Sequence, residues 1–73
     1  MSRSRLAALL REIRVEAKLT QSQLADALGQ SQSYVSKYET GEQRLDLTEL
    51  DAICAAVEIS LVTLVERYVA SRS

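Results

Sequence analysis

The chain has 73 residues and a formal net charge of −1, with no proline, no histidine and a single cysteine, Cys54. One cysteine excludes an intrachain disulfide, and without histidine the chain lacks the ligand set of a structural zinc site. No apolar run approaches the ~20 residues of a membrane span, and none has the layout of a signal peptide. We therefore expect a soluble, cytoplasmic protein with no metal and no cofactor.

Charge is distributed unevenly along the chain. Residues 1–45 carry seven basic and five acidic side chains, whereas residues 46–73 carry two basic and five acidic ones. The mildly basic first part permits nucleic-acid binding. The small number of cations excludes loose binding that depends on charge alone, because few phosphates would be neutralised.

The first two predicted helices follow from apolar periodicity and from polar residues at their ends. A helix from Ser4 to Lys18 is indicated by apolar residues that recur at steps of three and four. Thr20 and Gln23 match a capping box, in which each side chain accepts a hydrogen bond from the other residue's backbone N–H. They begin a second helix, which ends at Gly29, a residue suited to the left-handed conformation.

A third helix is predicted to begin after Ser31 and to end near Gly41. Val35 and Tyr38 form its inward face. The other side chains of this helix are mostly short and polar and face outward: Gln32, Ser33, Ser36 and Lys37, with Tyr34 beside them.

Two further helices complete the chain. Asp46 or Thr48 caps the fourth, whose inner face is predicted from five apolar residues: Leu47, Leu50, Ile53, Cys54 and Val57. Ser60 caps the fifth, at about 60–70, whose inner face comprises four residues: Leu61, Leu64, Val65 and Tyr68. Val62 and Val69 lie off that face, so this helix has more apolar surface than one small core covers. The predicted fold class is all-α, a compact five-helix bundle, with residues 1–73 forming one domain.

Residues 20–41 meet the steric requirements of a helix-turn-helix, in which two helices cross at a wide angle through a short turn. The first helix needs a small residue where the second crosses it, and Ala25 is there. The turn needs a residue that tolerates positive φ, which is Gly29. The second helix needs a compact apolar residue at its inner contact, which is Val35.

The outward face of the third helix has the chemistry of a DNA reader. Glutamine pairs bidentately with adenine, lysine pairs with guanine, and serine bonds to several base edges. A helix in the major groove presents its first turns to those edges. We therefore predict four base-reading residues, with an ordinary solvated helix face as the alternative: Gln32, Ser33, Ser36 and Lys37.

The chain resembles the Xre or lambda-repressor-like helix-turn-helix family. The resemblance is carried by LTQSQLADALG (Leu19–Gly29), SQSYVSKYETG (Ser31–Gly41) and the turn at 59–61, and it extends from Leu6 to about Leu64. It implies a compact five-helix bundle and a sequence-specific transcriptional regulator that binds an operator as a homodimer.

The resemblance also implies roles for single residues. Gln21 would hydrogen-bond a phosphate and brace Gln32, while Tyr34 and Arg44 would contact phosphates beside the groove. The alternative for Gln21 is that it only caps its helix. For Tyr34, the alternative is an incidental surface aromatic.

Two structural features follow from the same resemblance. Arg14 and Glu39 match a pair that forms an internal salt bridge, the alternative being two separate surface charges. Lys18 and Glu58 stand where the family commonly has glycine. These two departures leave open the shape of the turn after the first helix and of the end of the fourth.

The leading functional prediction is a standalone transcriptional regulator, a repressor or a phage-type control protein; a restriction-system controller is a third variety within the DNA-binding class. Its homodimer contact is predicted at the last helix: Val62, Val69 and Tyr68. The alternative is an antitoxin-type module that mainly holds another protein, a toxin or part of the transcription machinery, with DNA binding secondary. An enzyme is not expected, because the chain has no histidine, no nucleophile–base pair and no glycine-rich phosphate loop.

Overall fold

The computed structural model describes residues 3–71, with the side chains of residues 5–71. Within this range the chain forms five helices: α1 (Arg3–Glu16), α2 (Gln21–Leu28), α3 (Gln32–Glu39), α4 (Leu47–Ala56) and α5 (Leu61–Ala70). Residues 3–71 contain no strand, so the all-α prediction is confirmed. None of these five helices is long and apolar enough to span a membrane.

Polar side chains cap the helices where the sequence predicts them. The Thr20 hydroxyl accepts from the Gln23 backbone N–H at 3.0 Å, and the Thr20 N–H donates to Gln23 Oε1 at 2.9 Å. Asp46 and Glu49 form a second capping box, so Asp46 caps α4 and Thr48 does not. The two remaining predicted caps each accept from the backbone N–H three residues later: Ser31 and Ser60.

Four helices end in the same way, with a residue at positive φ. These residues and their φ angles are Lys18 (62°), Gly29 (67°), Gly41 (83°) and Glu58 (61°). After each of them, the next backbone N–H bonds to a carbonyl five residues back, as in Leu19 to Arg14. Helix α1 therefore ends at Glu16, two residues before the predicted Lys18. The two residues that replace a family glycine keep the left-handed turn, so the departure adds strain and does not change the turn.

All five helices contribute to one apolar core. Leu24 of α2 and Val35 of α3 are completely buried at its centre. Cys54 is buried as a small apolar residue, and burial raises the pKa of its thiol. The other members of the core surround this centre: Leu9, Leu10, Ile13, Ala25, Tyr38, Ile53, Val57 and Leu64.

Two residues predicted to face inward are exposed instead. Leu47 is 63% exposed, because it is the first residue of α4, where the other helices cover α4 least. Ile53, further along α4, is only 3% exposed. Val65 is 49% exposed. Helical spacing places it between Val62 and Val69, on the outer face of α5.

Two polar contacts join α5 to α1. The Arg67 guanidinium donates to the carboxylates of Glu12 and Glu16 at 2.8–2.9 Å, and this hydrogen bonding lowers the pKa of Glu16. The Arg5 guanidinium lies 4.7 Å from the centroid of the Tyr68 ring. These contacts help to orient α5, whose outer face remains uncovered.

Candidate nucleic-acid interface

The crossing of α2 and α3 has the contacts that a helix-turn-helix requires. Ala25 and Val35 are buried, and Gly29 takes the left-handed conformation in the turn between the helices. Because Val35 and Tyr38 fix the inner face of α3, its opposite face turns outward.

The outward face of α3 carries the four residues predicted to read bases. Gln32, Ser33 and Lys37 are exposed, whereas Ser36 is half-buried. The structure thus places three of these side chains in solvent on α3. Ser36 lies at the margin of that surface and offers less of its side chain.

Two glutamines connect the start of α3 to the start of α2. Gln32 Nε2 donates to Gln21 Oε1, and Gln21 Nε2 donates in turn to Glu39 Oε1 at 3.1 Å. A glutamine amide has two N–H donors and an oxygen acceptor. The Gln32 amide therefore keeps its oxygen and one N–H available for a ligand while its plane is held in place.

This series of bonds ends at an ion pair between α1 and α3. Arg14 Nε donates to Glu39 Oε2 at 2.8 Å and Arg14 Nη2 donates to Glu39 Oε1 at 3.1 Å. The two side chains are only 10% and 2% exposed, and the hydrogen bond to Glu39 raises the pKa of Arg14. Arg14 also donates to the Leu19 carbonyl at 2.8 Å. We call the four linked side chains the polar relay: Gln32, Gln21, Glu39 and Arg14.

Tyr34 connects α3 to the beginning of α4. It is half-buried, and its hydroxyl donates to Glu49 Oε2 at 2.9 Å. Burial, followed by the hydrogen bond to Glu49, raises the pKa of Tyr34 to about 12. The Tyr34 ring meets the Tyr38 ring edge-on, with centroids 5.6 Å apart. Tyr34 is thus an integral contact between helices.

Arg44 lies in the segment between α3 and α4 and is exposed. It forms no ion pair with any residue of 5–71. Within that part of the chain, no carboxylate competes with an external anion for its guanidinium.

The predicted dimer residues differ in how much surface they offer. Val62 and Val69 are 67% and 47% exposed, and Val65 adds to the same stripe. Tyr68 is half-buried, packs under Arg5 and has a buried hydroxyl. The exposed apolar surface of α5 thus belongs mainly to the three valines.

Sequence reasoning missed two contacts of this region: the Gln21–Glu39 bond and the Tyr34–Glu49 bond. Their partners are 18 and 15 residues apart in the chain. No local spacing rule connects residues that far apart on different helices, so the sequence contains no signal for either bond.

Residues 10–64 match the model of the helix-turn-helix family HTH_3. No curated protein gives a significant match to the chain. Among solved structures, the chain is similar to the clp gene regulator ClgR of Corynebacterium glutamicum, with a TM-score of 0.86 and 28% identity over 97% of this chain and 91% of that one.

Restriction-modification controller proteins are also similar in structure. C.Esp1396I, solved as a tetramer with its natural 35 base-pair operator, gives a TM-score of 0.85 and 26% identity over 93% of this chain and 90% of that one. C.AhdI of Aeromonas hydrophila gives a TM-score of 0.79 and 29% identity over 85% of this chain and 94% of that one. ClgR is thus a gene regulator, C.AhdI is a controller protein, and C.Esp1396I is a controller protein that binds an operator. The chain belongs to the Xre/lambda-repressor-like helix-turn-helix family of DNA-binding transcription regulators.

Proposed function

We propose that the protein is a sequence-specific transcriptional repressor that binds an operator as a homodimer. In this proposal α3 lies in the major groove, where Gln32, Ser33 and Lys37 contact base edges. Ser36, at the edge of the same surface, makes a smaller contact with the bases. The observation that carries the proposal is the polar relay, because it fixes the Gln32 amide at the first turn of α3.

The relay supports specific recognition for an energetic reason. A flexible glutamine must lose side-chain entropy when it binds a base, whereas a braced one has already lost it. The α3 surface offers one cation, Lys37, and Arg44 adds a second nearby. With so few charges, affinity rests on well-placed polar contacts more than on phosphate neutralisation.

Phosphate contacts are proposed for Gln21, Arg44 and Tyr34. Gln21 sits at the start of α2 beside Gln32, and Arg44 is an exposed cation without an ion pair among residues 5–71. Tyr34 has one hydroxyl proton, which it donates to Glu49. A phosphate would have to replace that carboxylate as acceptor, so we rank Tyr34 as the weakest of the three contacts.

A homodimer is proposed through the outer face of α5. Three valines there are about half or more exposed: Val62, Val65 and Val69. An apolar stripe of this kind is buried in a symmetric contact between two copies. The dimer would set two recognition helices one DNA turn apart, ~34 Å, and would require a two-fold operator. C.Esp1396I, which binds its operator as a tetramer, supports assembly on DNA in this family.

Repression is the proposed outcome because a dimer on its operator excludes other proteins from the same DNA. We also propose a cytoplasmic location, because a protein that binds an operator must share a compartment with that DNA.

Selection of bound sequences from random duplex DNA tests the proposal. We expect a two-fold consensus, and we expect the double variant Gln32→Ala, Lys37→Ala to lose at least ~30-fold in affinity for it, since a good base contact contributes ~1–3 kcal/mol. Arg11→Ala is the matched control, because it removes one positive charge from an exposed site on α1. No consensus, or unchanged affinity in a double variant with full helical circular dichroism, would contradict the proposal.

A further inference from the structure

A cleft of 360 Å³ lies between the first half of α1 and the segment that joins α3 to α4. On the α1 side its lining includes Leu6, Ala7 and Leu10, and on the other side it includes Gln43 and Arg44. Small-molecule sites have volumes of ~300–1,000 Å³ and are mainly apolar with a few polar groups. The cleft meets both criteria at the small end of the range.

Two residues that line the cleft, Arg44 and Tyr38, have polar groups without a partner among residues 5–71. Arg44 is exposed and has no ion pair among residues 5–71. Tyr38, which also lines the cleft, is 2% exposed, and its hydroxyl has no hydrogen-bond partner in the described part of the chain. Buried polar atoms normally have a partner. The Tyr38 hydroxyl is enclosed by the protein, so the exposed guanidinium of Arg44 is the group that an anionic ligand in the cleft would pair with.

We propose that this cleft binds a small amphipathic carboxylate, with its apolar body against Leu6, Ala7 and Leu10 and its carboxylate on Arg44. Arginine and carboxylate form charge-assisted hydrogen bonds of matching geometry. A dry cavity of ~150 Å³ holds a benzene ring. A volume of 360 Å³ therefore accommodates one ring with a short acidic side chain.

This site couples to DNA binding, a step that rests on the proposed function. Arg44 is a proposed phosphate contact, and a carboxylate bound to it neutralises the same charge. Ligand and operator then compete for one guanidinium. Because coupling between two binding sites is reciprocal, the ligand weakens operator binding and the operator weakens ligand binding.

The binding test uses the full chain without DNA and hydrocinnamate as the probe. We expect saturable amide shifts in isotope-labelled protein at residues 6–10 and 38–45, with a Kd on the order of 1 mM, as for a ligand of this size. Arg44→Gln should weaken binding by roughly 1.4- to fivefold, the range of a solvent-exposed ion pair. Arg11→Gln, the matched control, should leave the Kd unchanged. Hydrocinnamyl alcohol, which keeps the ring and lacks the charge, should bind more weakly than the acid.

Shifts that do not saturate, shifts at other residues, or equal affinity of the wild type and Arg44→Gln would overturn the proposal. The coupling is then measured with the selected operator. Hydrocinnamate should lower the operator affinity of the wild type and leave that of Arg44→Gln unchanged. If the operator selection fails, the proposed function fails while the DNA-free binding result stands. If the probe binds and operator affinity does not change, the coupling is overturned.

Discussion

Lys18 and Glu58 show how a single residue adds strain to this fold. Both hold a left-handed conformation, which costs an L-amino acid roughly 1–2 kcal/mol. The ammonium of Lys18 lies at the end of α1, where the helix dipole favours a positive charge. The carboxylate of Glu58 lies at the same position after α4, where the dipole opposes it. Glu58 therefore combines backbone strain with an unfavourable charge.

Replacement of Glu58 by glycine is expected to raise the free energy of unfolding by roughly 1 kcal/mol, since glycine takes positive φ freely. Lys18→Gly should stabilise less, because it loses a favourable charge. Urea unfolding followed by circular dichroism measures both. Glu58→Ala is the control that removes the carboxylate and keeps a Cβ at positive φ. If Glu58→Ala stabilises as much as Glu58→Gly, backbone strain is not the cause.

Tyr34 and Tyr38 offer a second comparison between single residues. The buried Tyr38 hydroxyl has no partner within residues 5–71, whereas the Tyr34 hydroxyl bonds to Glu49. Tyr38→Phe should raise the free energy of unfolding by about 1 kcal/mol, because an unsatisfied buried group is removed. Tyr34→Phe should lower it by about 1 kcal/mol, because a hydrogen bond is lost. Thermal unfolding of both variants measures these changes in the free energy of unfolding. If the two changes have the same sign, the interpretation is contradicted.

At the scale of helices, α1 is joined to two partners by ion pairs of different burial. The pair of Arg14 with Glu39 joins α1 to α3 and is almost completely buried. Arg67 of α5 joins Glu12 and Glu16 of α1, with carboxylates that are 62% and 52% exposed. Water screens the exposed contact of Arg67. Water does not reach the buried pair of Arg14 and Glu39, so it cannot solvate either charge if the other is removed.

We expect Arg14→Ala to lower the free energy of unfolding by ~3–5 kcal/mol, because the Glu39 carboxylate is left buried without its cation and keeps only the hydrogen bond from Gln21. Arg67→Ala should lower it by no more than ~1 kcal/mol. Denaturant unfolding compares the two. If Arg14→Ala does not fold, Glu39→Gln supplies the comparison, because it removes the charge of Glu39 and keeps the shape and one acceptor oxygen. Equal losses at the buried and exposed pairs would show that burial does not determine their contributions.

The whole molecule separates two surfaces. The polar face of α3 is held by the relay, and the apolar stripe of α5 is left uncovered. A DNA reader on one helix and a self-association surface on another can act together without sharing residues. A change at Val62 therefore tests assembly without touching a proposed DNA contact.

Val62→Asp is expected to weaken the dimer at least ~100-fold. Each buried valine contributes ~1.5–3 kcal/mol, and a symmetric interface contains the substitution twice. Val15→Asp, which introduces the same charge at an exposed valine of α1, should leave the dimer intact. Sedimentation equilibrium over a range of concentrations measures both. A wild-type chain that stays monomeric would contradict the dimer and leave this stripe for another protein partner, as in the antitoxin hypothesis.

Much of the fold was predictable because it depends on residues close together in the chain. The capping boxes of Thr20 and Asp46 join residues three apart, and the left-handed turn at Gly29 needs only glycine and its neighbours. The polar face of α3 follows from helical spacing alone. The Arg14–Glu39 pair came from the family resemblance, since no spacing rule relates residues 25 apart.

The tertiary structure decided the features that depend on contacts between helices far apart in the chain. It left Leu47 and Val65 exposed, because the way α4 and α5 pack determines which parts of each helix are covered. It also brought Gln21 to Glu39 and formed the cleft beside Arg44. The sequence alone thus determined most helix boundaries and which face of α3 is polar, because these are local properties of the chain. Only the packed structure determined which hydrogen bonds hold the polar face of α3 in place and which apolar surface stays exposed.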